Sequence, residues 1–151
     1  MIPAADFIPA YSEMFRFLHA KGGSREVEAF WNYLSDRFLG NLKQLVEANG
    51  ILGCWLYWSH TLNEEAADFT MELDEEAGVF RIDMHRCPSM ARLIETNWIQ
   101  PYEDYCRHCD VIYRRVLEPL GYACTTDRSA CKQARCSLTV IGLPAGKDGQ
   151  P

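Results

Sequence analysis

Hydrophobic positions recur at helical spacing through the N-terminal part of the chain and then change period. Phe7, Ile8, Tyr11, Met14, Phe15 and Leu18 fall on one face of a helix that Gly22-Gly23 closes. Ser24 is placed to cap a second helix, whose apolar stripe runs Val27, Phe30, Trp31, Leu34, Phe38, Leu42 and Leu45. Asn49-Gly50 supplies its stop, because both residues tolerate a left-handed backbone. The stretch "ILGCWLYWSHTL" is apolar almost all round and predicts a buried helix, a strand being the other reading its periodicity allows. The period then becomes two. Phe69, Met71 and Leu73 alternate with polar residues, "EEAG" turns the chain, and Phe80, Ile82 and Met84 alternate again, which predicts a hairpin.

Pro88 opens a short helix in "CPSMARLIETNW", and Pro101 opens a longer one through about Glu118. "YACTTD" and "RCSLTVI" then form a second hairpin around a loop that holds Cys131. Helices and hairpins segregated in this way predict an α+β fold: N-terminal helices and a roughly four-stranded antiparallel sheet with helices packed on one face. Residues 1–141 make a single domain in this reading, and residues 142–151, which have nothing to bury, a flexible tail.

Composition narrows the function. A net charge of −6 with no basic stripe excludes a protein that holds nucleic acid by its phosphates. The most apolar run, "GILGCWLYW", is too short to cross a bilayer, and the chain opens without a cationic segment followed by an apolar one. A cytoplasmic protein whose partner is a small molecule is expected. Seven cysteines, an odd number, then point to thiols in a core, a metal site or catalysis rather than a disulfide framework. No glycine-rich phosphate loop, serine elbow or His-Glu-x-x-His is present.

Two of those thiols lie in "YCRHCD". On a helix from Pro101, the apolar stripe is Tyr102, Tyr105, Cys106, Cys109, Ile112, Tyr113, Val116 and Leu117, so both cysteines face the core. His108 falls on the flank with Asp104, Val111 and Arg115, and Asp110 borders the stripe. Strand parity puts Cys124 with Tyr122, and Cys136 with Leu138 and Val140, on sides that can face the same helix. Cys87 ends a strand near the same space. Free cysteines are common as small core residues. The other readings are a pocket, with no cofactor, or a zinc or iron–sulfur site built from Cys87, Cys106, Cys109 and Cys136. His19, His60 and His85 read as a helix-end cation, a local hydrogen-bond partner and a solvated strand residue, and "WLYW" reads as core.

Taken together, Cys87 at a strand end, "YCRHCD" on a helix and the closing "TTDRSACKQARCSLTV" resemble the L-2-amino-thiazoline-4-carboxylic acid hydrolase-like family over residues 79–141. Where that family's last hairpin has a glycine, acidic residues and Cys-Asp-Phe, this chain has Ala134, Arg135, Cys136, Ser137 and Leu138. The resemblance implies a hydrolase that opens a cyclic amidine to N-carbamoyl-L-cysteine. Such chemistry needs an attack on the ring carbon, a proton shuttle and a cation for the substrate carboxylate. The residue types suggest Cys109, Asp110 and Cys87 as the catalytic group, Asp110 being the nearest base. Substrate binding falls to Cys106, Cys136 and Tyr113, with Arg86, Arg128 or Arg135 for the carboxylate. The alternative class is a non-catalytic small-molecule-binding or sensor module like the 4-vinyl reductase-type domains, to which an apolar lining and the altered "ARCSL" hairpin are suited.

Overall fold

The computed structural model describes residues 4–65 and 67–142, the side chains of residues 4 and 5 excepted. The chain runs α1 (Ala4–Gly22), α2 (Ser24–Phe38), α3 (Gly40–Asn49), α4 (Leu52–Glu64), β1 (Asp68–Asp74), β2 (Val79–Arg86), α5 (Pro88–Glu95), α6 (Arg107–Leu117), β3 (Tyr122–Asp127) and β4 (Cys136–Gly142). The fold is α+β, as the pattern predicts. Beyond Gly142 the expected tail lies outside the described residues. No helix of the described residues is long and apolar enough to cross a membrane.

The four strands form one antiparallel sheet in the order β1-β2-β4-β3. Its register puts Leu73, Phe80 and Val140 in one row, Met71, Ile82 and Leu138 in the next, and Phe69, Met84 and Cys136 in a third. Cys124 pairs with Val140 and Thr126 with Leu138, so the inward side of β3 extends the same face. The opposite face is polar, with Arg81 bonded to Asp83 and Thr70 to His85. Strands with this alternation bury one side and solvate the other.

Two clusters of buried side chains hold the helices. One joins the inner sheet face (Phe80, Ile82, Cys124, Leu138, Val140) to Leu42 and Val46 of α3, and to Cys54, Tyr57, Trp58 and Leu62 of α4. Trp58 stacks on Phe80 there, ring centroids 5.5 Å apart. The other gathers Phe15, Val27, Trp31, Leu93, Tyr102 and Tyr105. Helix α6 touches both, with Ile112 packed against each cluster. Ser35 of α2 fixes it further, donating to the Ile112 carbonyl at 2.7 Å.

Three local expectations change. The second helix is interrupted: Leu39 leaves helical geometry at φ −94°, ψ 25°, and Gly40 begins α3. Phe38 is consequently 78% exposed instead of lying on a continuous stripe. Ser24 is the first helical residue and Gly23 the cap, with no side-chain hydrogen bond closing that end. The third change is at Pro101. Residues 101–106 form turns and α6 begins only at Arg107. Tertiary contacts hold this segment: the Tyr102 amide donates to the buried Ser12 hydroxyl of α1 at 2.8 Å, and the Tyr102 and Tyr105 rings pack into the aromatic cluster.

Helices α3 and α4 meet without a side chain between them at Gly53. A Cβ there would lie 2.4 Å from the Leu45 carbonyl oxygen and 2.6 Å from the Val46 Cα, both backbone atoms. Gly53→Ala is therefore expected to lower the unfolding free energy by roughly 1–3 kcal/mol, read as a fall in the urea midpoint with an unchanged slope.

Candidate functional site

The inner sheet face does not pack completely against α6. Between its lower rows, the start of α6 and the β3–β4 connection lies a cavity of about 180 Å³. Cys87, Cys106, Cys109, Cys131 and Cys136 all line it. A dry cavity of roughly 150 Å³ admits benzene, so this one suits a single small ring with a substituent.

Each thiol is positioned by its own element. Cys87 sits in extended geometry before Pro88, as a residue preceding proline must, and its sulfur accepts from the Met90 amide at 3.5 Å to cap α5. The Cys87 amide donates to the Ala134 carbonyl at 2.7 Å, which ties the end of β2 to the β3–β4 connection. Ala134 is held there at φ 56°, a left-handed conformation unusual for a residue with a Cβ. Cys136 opens β4 opposite Met84, pointing inward as its parity predicts. Cys106 is the N-terminal cap residue of α6, and Cys131 lies in a short 3₁₀ turn of the connection. Interaction with Cys106, aided by Arg128, draws the Cys131 thiol below its ordinary value, while Cys131 together with burial pushes Cys106 up.

Cys109 has a different partner. Its sulfur lies 3.5 Å from Nε2 of His108, while Nδ1 of the same ring lies 2.5 Å from the Tyr105 carbonyl oxygen. A carbonyl only accepts, so Nδ1 carries the proton and, in a neutral ring, Nε2 presents its lone pair to the thiol. Burial keeps the ring neutral by lowering its pKa. Burial first, then the neighbouring thiols and Glu65, push Cys109 well above the ordinary thiol value. At rest the pair is a neutral thiol donating to a neutral imidazole.

The rest of the lining combines apolar walls with a few polar groups. Trp58, Leu62, Ile82, Met84 and Leu138 supply the apolar part. The Tyr113 ring packs edge to face against Trp58 and Tyr57, with centroids 5.0 and 6.4 Å apart. Thr126, on the inner side of β3, has a buried hydroxyl with no hydrogen-bond partner. Buried hydroxyls are seldom left so, and the residue borders the cavity. Arg128 and Arg135 reach the lining from the connection, Arg128 also lying 3.4 Å from Asp104. Glu65, just past α4, belongs to the lining too. Much of the residue is exposed, yet burial raises the pKa of its carboxyl, and among the described residues no cation lies within ion-pair distance of it.

Of the residues singled out in the sequence, Cys87, Cys106, Cys109, Cys136, Tyr113, Arg128 and Arg135 come together here. Asp110 and Arg86 do not. Asp110 is 8% exposed but turned away from the cavity, both carboxylate oxygens 2.5 Å from Nη2 of Arg114 one helical turn on. Arg86 is exposed and paired with Glu95. The side chain that meets the Cys109 sulfur is instead His108. Tyr11 and Phe15 of α1 cover it, with ring centroids 5.7 and 5.8 Å from the imidazole. Cys131, Thr126 and Glu65 are additions. Thr126 shares inward parity with Tyr122 and Cys124, a signal present in the sequence; Glu65 left none. Among the described residues no group of three or more His, Cys, Asp or Glu side chains is placed to hold a metal ion, so the four-thiol set lines the cavity without converging on one point.

Comparison with family models, with curated proteins and with solved structures finds no match to this chain.

Two outcomes follow. Asp110→Asn should cost about 1–3 kcal/mol of stability, because it strips a nearly buried group of its charged partner, and should leave the thiols' reactivity toward a small alkylating reagent intact. The second concerns pH. Because His108 is held below 6.5 in the folded protein, the unfolded chain takes up that proton first; stability is fully present above pH 6.5 and lost as pH falls from there. Cys109 is held above 9.0, so the unfolded chain loses its proton first and stability falls again as pH rises past 9.0. Urea midpoints measured across pH should bend at both ends, and His108→Gln should flatten the acid bend alone.

Proposed function

We propose that the thiol-lined cavity binds a small cyclic amidine or amide bearing a carboxylate, and that Cys109 with His108 opens its ring by hydrolysis. The observation that carries this reading is the oriented Cys109–His108 pair beside a ring-sized cavity. Three further features support it. The Glu65 carboxyl suits an amidinium, Arg128 and Arg135 suit a carboxylate, and the unpartnered Thr126 hydroxyl awaits a polar ligand atom. A 2-amino-thiazoline-4-carboxylate, the substrate class that the family resemblance implies, carries both charges on one ring.

In this mechanism Nε2 of His108 takes the thiol proton as the Cys109 sulfur attacks the amidine carbon. The ring carbon–sulfur bond breaks, and the imidazolium returns its proton to the departing sulfur, leaving the carbon attached to Cys109 as an isothiourea. A water, deprotonated by His108, then adds to that carbon. Expulsion of Cys109, which recovers its proton, gives the N-carbamoyl product. One water is consumed, and the enzyme is restored. The second reading, a binding module without turnover, draws on the high thiol pKa values, Cys136 being pushed up to about 12 by burial, and on the apolar walls.

The test is incubation of the protein with 2-amino-thiazoline-4-carboxylate and detection of N-carbamoyl-cysteine. Turnover is expected, with Cys109→Ser and His108→Gln each lowering kcat by about 10²–10⁴-fold and Asp110→Asn leaving it nearly unchanged. Saturable binding without product would establish the binding module instead.

A further inference from the structure

The thiol cavity shares part of its wall with a neighbouring space. A second, larger hollow of about 890 Å³ opens between α1, α2, α4 and α6. The two share Trp58, Leu62, Glu65, Tyr105, His108 and Tyr113 among their walls. The larger hollow continues past these residues along Ile8, Tyr11 and Met14 of α1, Leu34 of α2 and Ile112 of α6. Its rim carries Phe7 and Phe38, 59% and 78% exposed. Its walls are mainly apolar and aromatic, and the Thr61 hydroxyl among them already donates to the Tyr57 carbonyl at 3.1 Å. The one carboxyl common to both spaces is Glu65, and among the described residues no cation lies within ion-pair distance of it.

We propose that this groove receives an apolar extension, an alkyl or aryl tail, of the same ligand whose polar head occupies the thiol cavity. The proposal rests on the head-group reading given above and adds the substrate class: amidines or amides with a hydrophobic substituent. The continuity of the walls is what selects this occupant. A second protein chain can cover the rim aromatics, but only a slender tail joined to a small head fills both spaces at once. Glu65, common to both, is the point where a cationic head would be held while its tail leaves along α1 and α2.

The experiment is calorimetric titration of the protein with n-alkanamidines from acetamidine to decanamidine. Each added methylene should tighten binding about threefold until the groove is filled. Leu34→Trp and, as an independent check, Met14→Trp should bring the long members back toward the affinity of acetamidine. Glu65→Gln should weaken every member by about tenfold or more while keeping the dependence on length. Affinity that does not change with chain length would overturn the groove assignment. A preserved length dependence with no effect of Glu65→Gln would leave the groove and overturn the head-group reading on which the proposal rests. A concentration-dependent dimer that Phe38→Ser dissociates, with no uptake of decanamidine, would make the groove an interface between two copies and end the proposal.

Discussion

Helix α6 has to bury two sides at once, and the rest of the molecule is arranged around that demand. One side meets the inner sheet face with Leu117 and Ile112; the other meets the aromatic cluster of α1 and α2 through Val111 and, again, Ile112. A helix with an apolar stripe on one side only would leave the second cluster uncovered. The first turn of α6 is where the two clusters diverge. Side chains there cannot fill both gaps, and the space left over is the thiol cavity, which shares walls with the groove beside α1. A cavity at such a meeting point forfeits packing energy, and small soft thiols are the side chains that can border it at least cost, since neutral cysteine behaves as a small hydrophobe.

That economy also sets the chemistry available. A buried thiolate–imidazolium pair needs a positive field to hold it, and at Cys109 the nearest groups are other thiols and the Glu65 carboxyl, none of them cationic. Burial therefore favours the neutral form on both sides of the Cys109–His108 bond. Proton transfer becomes favourable when negative charge is developing on a bound ligand or when a cation comes to rest beside Glu65. Cys131 is the exception. Its interaction with Cys106 and the nearby Arg128 guanidinium draw its thiol, alone of the seven, downward. The two thiol environments, one neutral and shielded, one polarised, lie on the same cavity.

The sheet was the part most legible in the sequence, because Phe69-Met71-Leu73 and Phe80-Ile82-Met84 can bury one side only by pairing as they do. The helical boundaries were less so. The stripe from Val27 to Leu45 keeps its period across Leu39, and nothing local announces that the chain turns there and leaves Phe38 in solvent. At Pro101 the sequence permits a helix, and what prevents it is distant in sequence: Ser12 holding the Tyr102 amide. The site suffered from the same displacement. Parity and spacing brought Cys87, Cys106, Cys109 and Cys136 to one place. His108 could be placed only on the flank of the stripe, because the helix that covers it, α1, lies at the other end of the chain. Glu65 ends a helix in a run of acidic residues, where exposure is the ordinary expectation.

Asp110 shows why adjacency in sequence misleads about charge. It stands beside Cys109 in the chain, yet one residue along a helix is about 100° of rotation, enough to move a side chain from the cavity to the neighbouring seam. There it faces β3, where together with burial it helps push Cys124 up to about 12. The Arg114 guanidinium meets both of its oxygens and offsets part of their field at Cys124. Had the carboxylate faced the cavity instead, it would have added to Glu65 and raised the cost of forming a Cys109 thiolate still further. Keeping Asp110 bound to Arg114 leaves Glu65 as the carboxyl at the cavity wall, placed where a cationic ligand can neutralise it. The acid next to the thiol thus serves the helix, and the acid that lines the cavity comes from just past the end of α4.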